Sequence, residues 1–156
     1  MKEIRIFPQG YSMYPFLIPG KDEAILRKLK AEDPVRKGDV IVFRRKGERP
    51  QDTPPIINND TPGILVIHRV VGIKKDGYYF LGDNQKKNRV EGPIRREQMK
   101  YVMTHRIREG KRVAVKSPVL FVFWTVYRWI IPIKDPLRDI LYRIKESITL
   151  HSKKYL

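Results

Sequence analysis

The chain has 156 residues, enough for one compact domain with an appendage and short for two. Lys and Arg number 33 against 17 Asp and Glu, a formal charge of +16 that calls for an anionic partner or surface, while 41% hydrophobic residues exclude a disordered basic tail. No cysteine is present, which excludes disulfides, thiolate metal sites and a cysteine nucleophile.

The N-terminus, MKEIRIFPQGYSMYPF, lacks the apolar run of a signal peptide or anchor, so a cytoplasmic or peripherally membrane-associated protein is expected. Short extended runs then follow at 3–7, 23–29, 39–44, 64–73, 78–81 and 99–107, which predicts a mainly β unit over residues 1–110. Lys37-Gly38-Asp39 and Lys75-Asp76-Gly77 supply turns, and the second should fold 78–81 back onto 66–73 as a hairpin. Four prolines in the polar stretch 47–63 cannot supply a full set of ladder donors, so that stretch reads as a long exposed loop.

Residues 111–156 read as a separate basic, aromatic-rich extension. They carry +7 of the charge, against +9 for residues 1–110. Residues 119–131 are too short to span a bilayer, and their aromatics suit an interfacial position. Beyond them, Asp135 caps an expected helix with Leu137, Ile140, Leu141, Ile144 and Ile148 on one face. Residues 117–148 could therefore lie on an anionic membrane surface, or pack on the core or a partner subunit.

Three short segments carry chemistry. In Gly10-Tyr11-Ser12-Met13-Tyr14-Pro15 a serine sits between a glycine and a proline, where the backbone turns and presents the hydroxyl, although turn serines are common for ordinary reasons. In Val66-Ile67-His68-Arg69-Val70 the histidine shares a strand face with Val66 and Val70, and Arg69 points the other way. An imidazole among aliphatics must be neutral or paired, and a neutral imidazole beside a serine is what a general base requires. Leu81-Gly82-Asp83-Asn84-Gln85 then ends the strand that the hairpin lays beside His68, and its ordinary reading is an Asx turn. Together they supply Ser, His and Asp, a constellation defined by geometry rather than chain order.

Ser-Met-x-Pro, then Gly38-Asp39-Val40-Ile41-Val42-Phe43, then His68-Arg69-Val70-Val71-Gly72, then Gly82-Asp83-Asn84, resembles the S24/S26 peptidase superfamily of signal peptidases and LexA-like self-cleaving repressors. Histidine at position 68, where the bacterial signal peptidases and the repressors have lysine, is similar to the archaeal and endoplasmic-reticulum branch. The resemblance implies a LexA/signal-peptidase-like β fold with a C-terminal amphipathic helical extension, and a serine endopeptidase cleaving a peptide or leader segment. It implies Ser12 as nucleophile, His68 as base and Asp83 as the acid near the base. Backbone around Gly10 and Ser12 would form the oxyanion hole, and Met13, Phe16 and Leu17 would wall a groove where the substrate pairs as an added strand. No metal or other cofactor is expected.

The sequence departs from the pattern in two places within the site. Gly10 stands where many signal peptidases have a second serine, and the acid that follows the Gly-Asp-Asn segment in the reticulum branch is replaced by Gln85-Lys86-Lys87-Asn88-Arg89. Either Asp83 or Asn88 is therefore expected to orient His68. Two other readings are a catalytically inactive peptide-binding relative and a LexA-like regulatory protein associated with nucleic acid. The second is disfavoured because the basic residues are scattered and no helix-turn-helix precedes the β unit.

Overall fold

The computed structural model describes residues 3–45, 64–116, 122 and 124–127, and these form a mainly β protein. The strands are β1 (Ile4–Ile6), β2 (Asp22–Lys28), β3 (Val40–Arg45), β4 (Ile64–Lys74), β5 (Gly77–Leu81), β6 (Glu91–Ile94), β7 (Met99–Arg108) and β8 (Lys111–Ala114). All pairs are antiparallel, in the order β1-β2-β7-β3-β4-β5-β6, with β8 beside β7.

β3 explains why the sheet has two apolar faces. Val40 and Val42 point into one cluster with Met13, Phe16, Leu17, Leu26 and Met103, whereas Ile41 and Phe43 point into another with Val70, Phe80, Ile94 and Met99. A strand buried on both faces carries a continuous apolar run rather than an alternating one, and Val40-Ile41-Val42-Phe43 is such a run. β-Bulges at Ile25/Leu26, Val42/Phe43 and Val70/Gly72 bend the ladder locally, consistent with a sheet that curls about each cluster.

The expected hairpin forms, with Lys74 opposite Gly77 and Arg69 opposite Leu81. Gly77 is required there, because a Cβ would lie 2.9 Å from the Ile94 carbonyl oxygen and φ is 146°. The six expected extended runs all contain strands, and β6 and β8 are additional. β6 contains Gly92-Pro93, which reads as a turn; proline is tolerated because β6 is an edge. β8 follows a two-residue connection in which Glu109 (φ 51°) and Gly110 (φ 74°) are both left-handed, the conformation of a tight hairpin turn whose twist matches the strands.

The boundary expected between residues 110 and 111 falls inside that hairpin. β8 continues the sheet, Val115 is buried in the first cluster and Lys116 Nζ lies 3.1 Å from Asp39 Oδ1, so the β unit runs on to residue 116. The 47–63 loop and the helix from Asp135 lie outside the described residues. Val122 and residues 124–127 are helical. Among the described residues no helix is long and apolar enough to cross a membrane.

The segment between β1 and β2 is a compact turn held from outside. Asp22, fully buried, accepts from the Ile18 N–H at 2.6 Å and from Arg108 Nε and Nη2, both at 2.6 Å. Arg108 Nη2 also donates to the Pro15 carbonyl, and Arg106 Nη1 to that of Phe16, each at 3.0 Å. Asp22→Ala removes three charge-assisted acceptor contacts, but Arg108 is partly exposed and water recovers some of its hydration. The expected loss is therefore about 2–3 kcal/mol rather than the larger cost of stranding a fully buried charge, measured by urea denaturation.

Candidate active site

Ser12 and His68 line the same cleft, an open cavity of about 350 Å³. One wall is the chain leaving β1, with Ile6, Phe7, Pro8 and Gln9; the other is the first half of β4, with Ile64, Leu65, Val66 and Ile67. Arg45, Gln85 and Glu91 complete it.

Alternation along β4 sets the face that His68 occupies. His68 falls on the face of Val66 and Val70, its ring 6.3 Å from that of Phe43, and it is only 3% exposed. Burial, reinforced by the positive charge of Arg45, pushes its pKa down to about 4, so the imidazole is neutral across the physiological range. Its Nδ1 lies 3.2 Å from Glu91 Oε1, in contact but off the hydrogen-bonding direction, and Arg45 Nη1 stands 3.5 Å from the other oxygen of the same carboxylate. Glu91 is thus the acid beside His68.

Asp83 occupies a different place from the one expected. Arg69, one residue along the strand and hence on the opposite face, takes both its oxygens, Nε to Oδ1 at 2.9 Å and Nη2 to Oδ2 at 2.7 Å, while Nη1 donates to the Gly38 carbonyl at 3.0 Å. Asp83 is 2% exposed and saturated by this pair and by the Trp124 indole N–H at 2.7 Å. Asn88, the other expected partner of His68, is exposed in the short 3-10 turn Lys87–Arg89. Glu91 lies just beyond the Gln85–Arg89 stretch, two residues after Arg89. The available signal was the strand pairing itself, since Phe80 opposes both Val70 and Glu91 and so carries Glu91 back toward β4.

The Gly82-Asp83-Asn84 segment instead grips the serine turn. Asn84 N–H donates to the Ser12 carbonyl at 2.8 Å and Asn84 Nδ2 to that of Tyr11 at 3.1 Å. Gly82 is obligatory for this approach, because a Cβ there would sit 2.5 Å from the Ser12 carbonyl oxygen. Gly10, with φ of 77°, makes the left-handed bend that leads into the turn. Within the turn, hydrogen bonds run from Tyr14 N–H to Tyr11 O and from Leu17 N–H to Met13 O.

Met13, Phe16 and Leu17 do not wall the cleft. They are buried in the first apolar cluster, where they anchor the turn from below, and the apolar walls come from Ile6, Phe7, Val42 and Leu65 instead. Among the described residues no three His, Asp or Glu side chains converge as a metal site. Comparison with protein-family models, with curated proteins and with solved structures finds no match.

A histidine buried neutral makes stability depend on pH with a definite sign. The unfolded chain takes up this proton near 6.5 and the folded chain near 4, so the stabilisation is complete above pH 6.5 and disappears as pH falls toward 4. Urea unfolding measured across that window should lose about 3 kcal/mol through this group. The His68→Asn variant should show a slope shallower by about one proton.

Proposed function

We propose that the chain is a serine endopeptidase of the signal-peptidase-like type, with Ser12 as nucleophile and His68 as general base. The observation that carries this reading is the shared cleft: a turn serine and a buried neutral histidine line one cavity, with a carboxylate 3.2 Å from Nδ1 of the ring. With Nδ1 toward Glu91, Nε2 is the nitrogen left to receive the Ser12 proton. Ser12 Oγ bonds to the scissile carbonyl carbon as that proton passes to His68. The imidazolium then protonates the leaving amine as the C–N bond breaks, and the acyl-serine ester is hydrolysed by a water that His68 deprotonates in turn. Among the described residues Tyr14 is the first amide of the turn with a backbone hydrogen bond, and the preceding Ser12 and Met13 N–H groups are the candidates to hold the oxyanion.

The cleft also suits an extended peptide. β5 pairs with β4 only from Arg69 onward, so among the described residues 64–67 are paired on the β3 side alone. Val70 N–H and C=O both bond toward Gly38 and Asp39, and the β3–β4 register runs unbroken from Arg69 to Ile64, so Leu65 and Ile67 turn their backbone groups to the open side. A substrate strand adding to that edge would pass between β4 and the 6–9 segment with a carbonyl brought to Ser12.

Ser12→Ala and His68→Ala should each abolish cleavage of a peptide library while leaving the circular dichroism spectrum unchanged. Glu91→Gln should lower kcat by on the order of 10²-fold to 10⁴-fold, whereas Asp83→Asn should act on stability. Cleavage persisting in either alanine variant, or an unaffected Glu91→Gln, would refute the assignment. The rate kcat/KM should stay level down to about pH 5, because the free base titrates near 4.

The basic C-terminal part supports a peripheral contact with anionic lipid. Val122 and Val126, one helical turn apart, are both exposed, and residues 111–156 carry +7. The full chain should co-sediment with vesicles containing phosphatidylserine and not with purely zwitterionic ones, and should be released by Val122→Asp/Val126→Asp; equal binding to both vesicle types would sink this contact.

A further inference from the structure

We propose that Trp124 and Tyr127 are positioning residues for the nucleophile turn, acting through the Gly82-Asp83-Asn84 segment; the catalytic part of this inference rests on the peptidase reading above. The two aromatics are three residues apart on the helical segment and so share a face, and each places one donor on a different residue of the same box. Tyr127 Oη donates to Asn84 Oδ1 at 3.0 Å. The Tyr11 carbonyl, which can only accept, takes Nδ2 of that amide, so Tyr127 holds the other end, Oδ1, while the backbone N–H of the same residue holds the Ser12 carbonyl. Losing the tyrosine hydroxyl removes that hold on Oδ1 and leaves the amide held at its Tyr11 end.

Trp124 acts on the neighbouring residue. Its indole N–H shares Asp83 Oδ1 with Arg69 Nε, and the Arg69 guanidinium carbon lies 5.1 Å from the indole ring and 4.6 Å from that of Phe16. Phe16 is itself a residue of the serine turn. The same helical face therefore reaches the turn by two routes, through the Asn84 amide to the carbonyls of Tyr11 and Ser12 and through Arg69 to the underside at Phe16. Neither Trp124 nor Tyr127 is among the residues that line the cleft of Ser12 and His68, so both act on the nucleophile turn rather than on the base.

The test uses the full chain and two readouts. Amide hydrogen exchange reports the turn directly, at the Tyr14 N–H bonded to Tyr11 O and the Asn84 N–H bonded to Ser12 O; peptide cleavage reports its catalytic consequence. Tyr127→Phe should speed exchange at both amides by about fivefold to tenfold and lower kcat by a similar factor with KM unchanged, the scale of one lost neutral hydrogen bond. Trp124→Phe keeps an aromatic ring against Arg69 and loses the indole donor, so it carries the same readouts if the tyrosine variant folds poorly. Faster exchange in a protein whose wild type cleaves no peptide would uphold the positioning role and remove the peptidase reading alone. Exchange at wild-type rates in both variants, whatever their activity, would overturn the proposal. A lower melting temperature with unchanged exchange and kcat well below it would likewise reduce both residues to packing.

Discussion

The fold is organised around one buried ion pair. Arg69 and Asp83 are both nearly inaccessible to water, and a guanidinium and a carboxylate in that position are tolerable only because each polar atom finds a partner in the bidentate pair, the Gly38 carbonyl and the Trp124 indole. Its value is positional. β4 must turn Arg69 to one face to meet Asp83, and the two-residue period of a strand then turns His68 to the other, against Phe43 and beside Glu91. One charge pair thereby fixes which face the candidate base occupies and brings the Gly82-Asp83-Asn84 segment within reach of the serine turn. A register slip of a single residue would bury His68 where Arg69 belongs and undo both arrangements together.

Much of this was legible in the sequence, and the remainder was not for identifiable reasons. Alternating and continuous apolar runs gave β2, β3, β4, β5 and β7, since burial on one or two faces writes itself into spacing. β8 and β6 escaped because a basic Lys111-Arg112 start and a Gly92-Pro93 pair carry no apolar period, and their pairing is imposed by neighbours rather than by their own composition. Turn chemistry and strand alternation single out Ser12 and His68 only weakly, the family resemblance gives them their expected roles, and they line one cleft.

Asp83 lies away from His68 for a physical reason. Position at the end of a strand says which residues are near, but it does not say on which face a side chain leaves. Arg69 held the missing information: a cation forced into the interior by the same alternation that positions His68 demands a buried anion, and Asp83 is that anion. Met13, Phe16 and Leu17 are apolar and close to Ser12 in sequence, which suggests a groove wall. The turn there winds tightly enough, with Leu17 N–H on Met13 O, to send all three inward. Proximity along a chain and proximity on a surface part company wherever the backbone coils.

Among the described residues, the side chains that hold the carbonyls of the serine turn come from sequence that follows it. Asn84 holds the carbonyls of Tyr11 and Ser12, Arg106 that of Phe16 and Arg108 that of Pro15. A ribosome releasing this chain therefore exposes the candidate nucleophile long before β7 exists to fix it. Until β7 has been made and has inserted between β2 and β3, the carbonyls of Pro15 and Phe16 lack the arginines that hold them, so the turn carrying Ser12 is among the last parts of the fold to be completed, a consequence of topology alone.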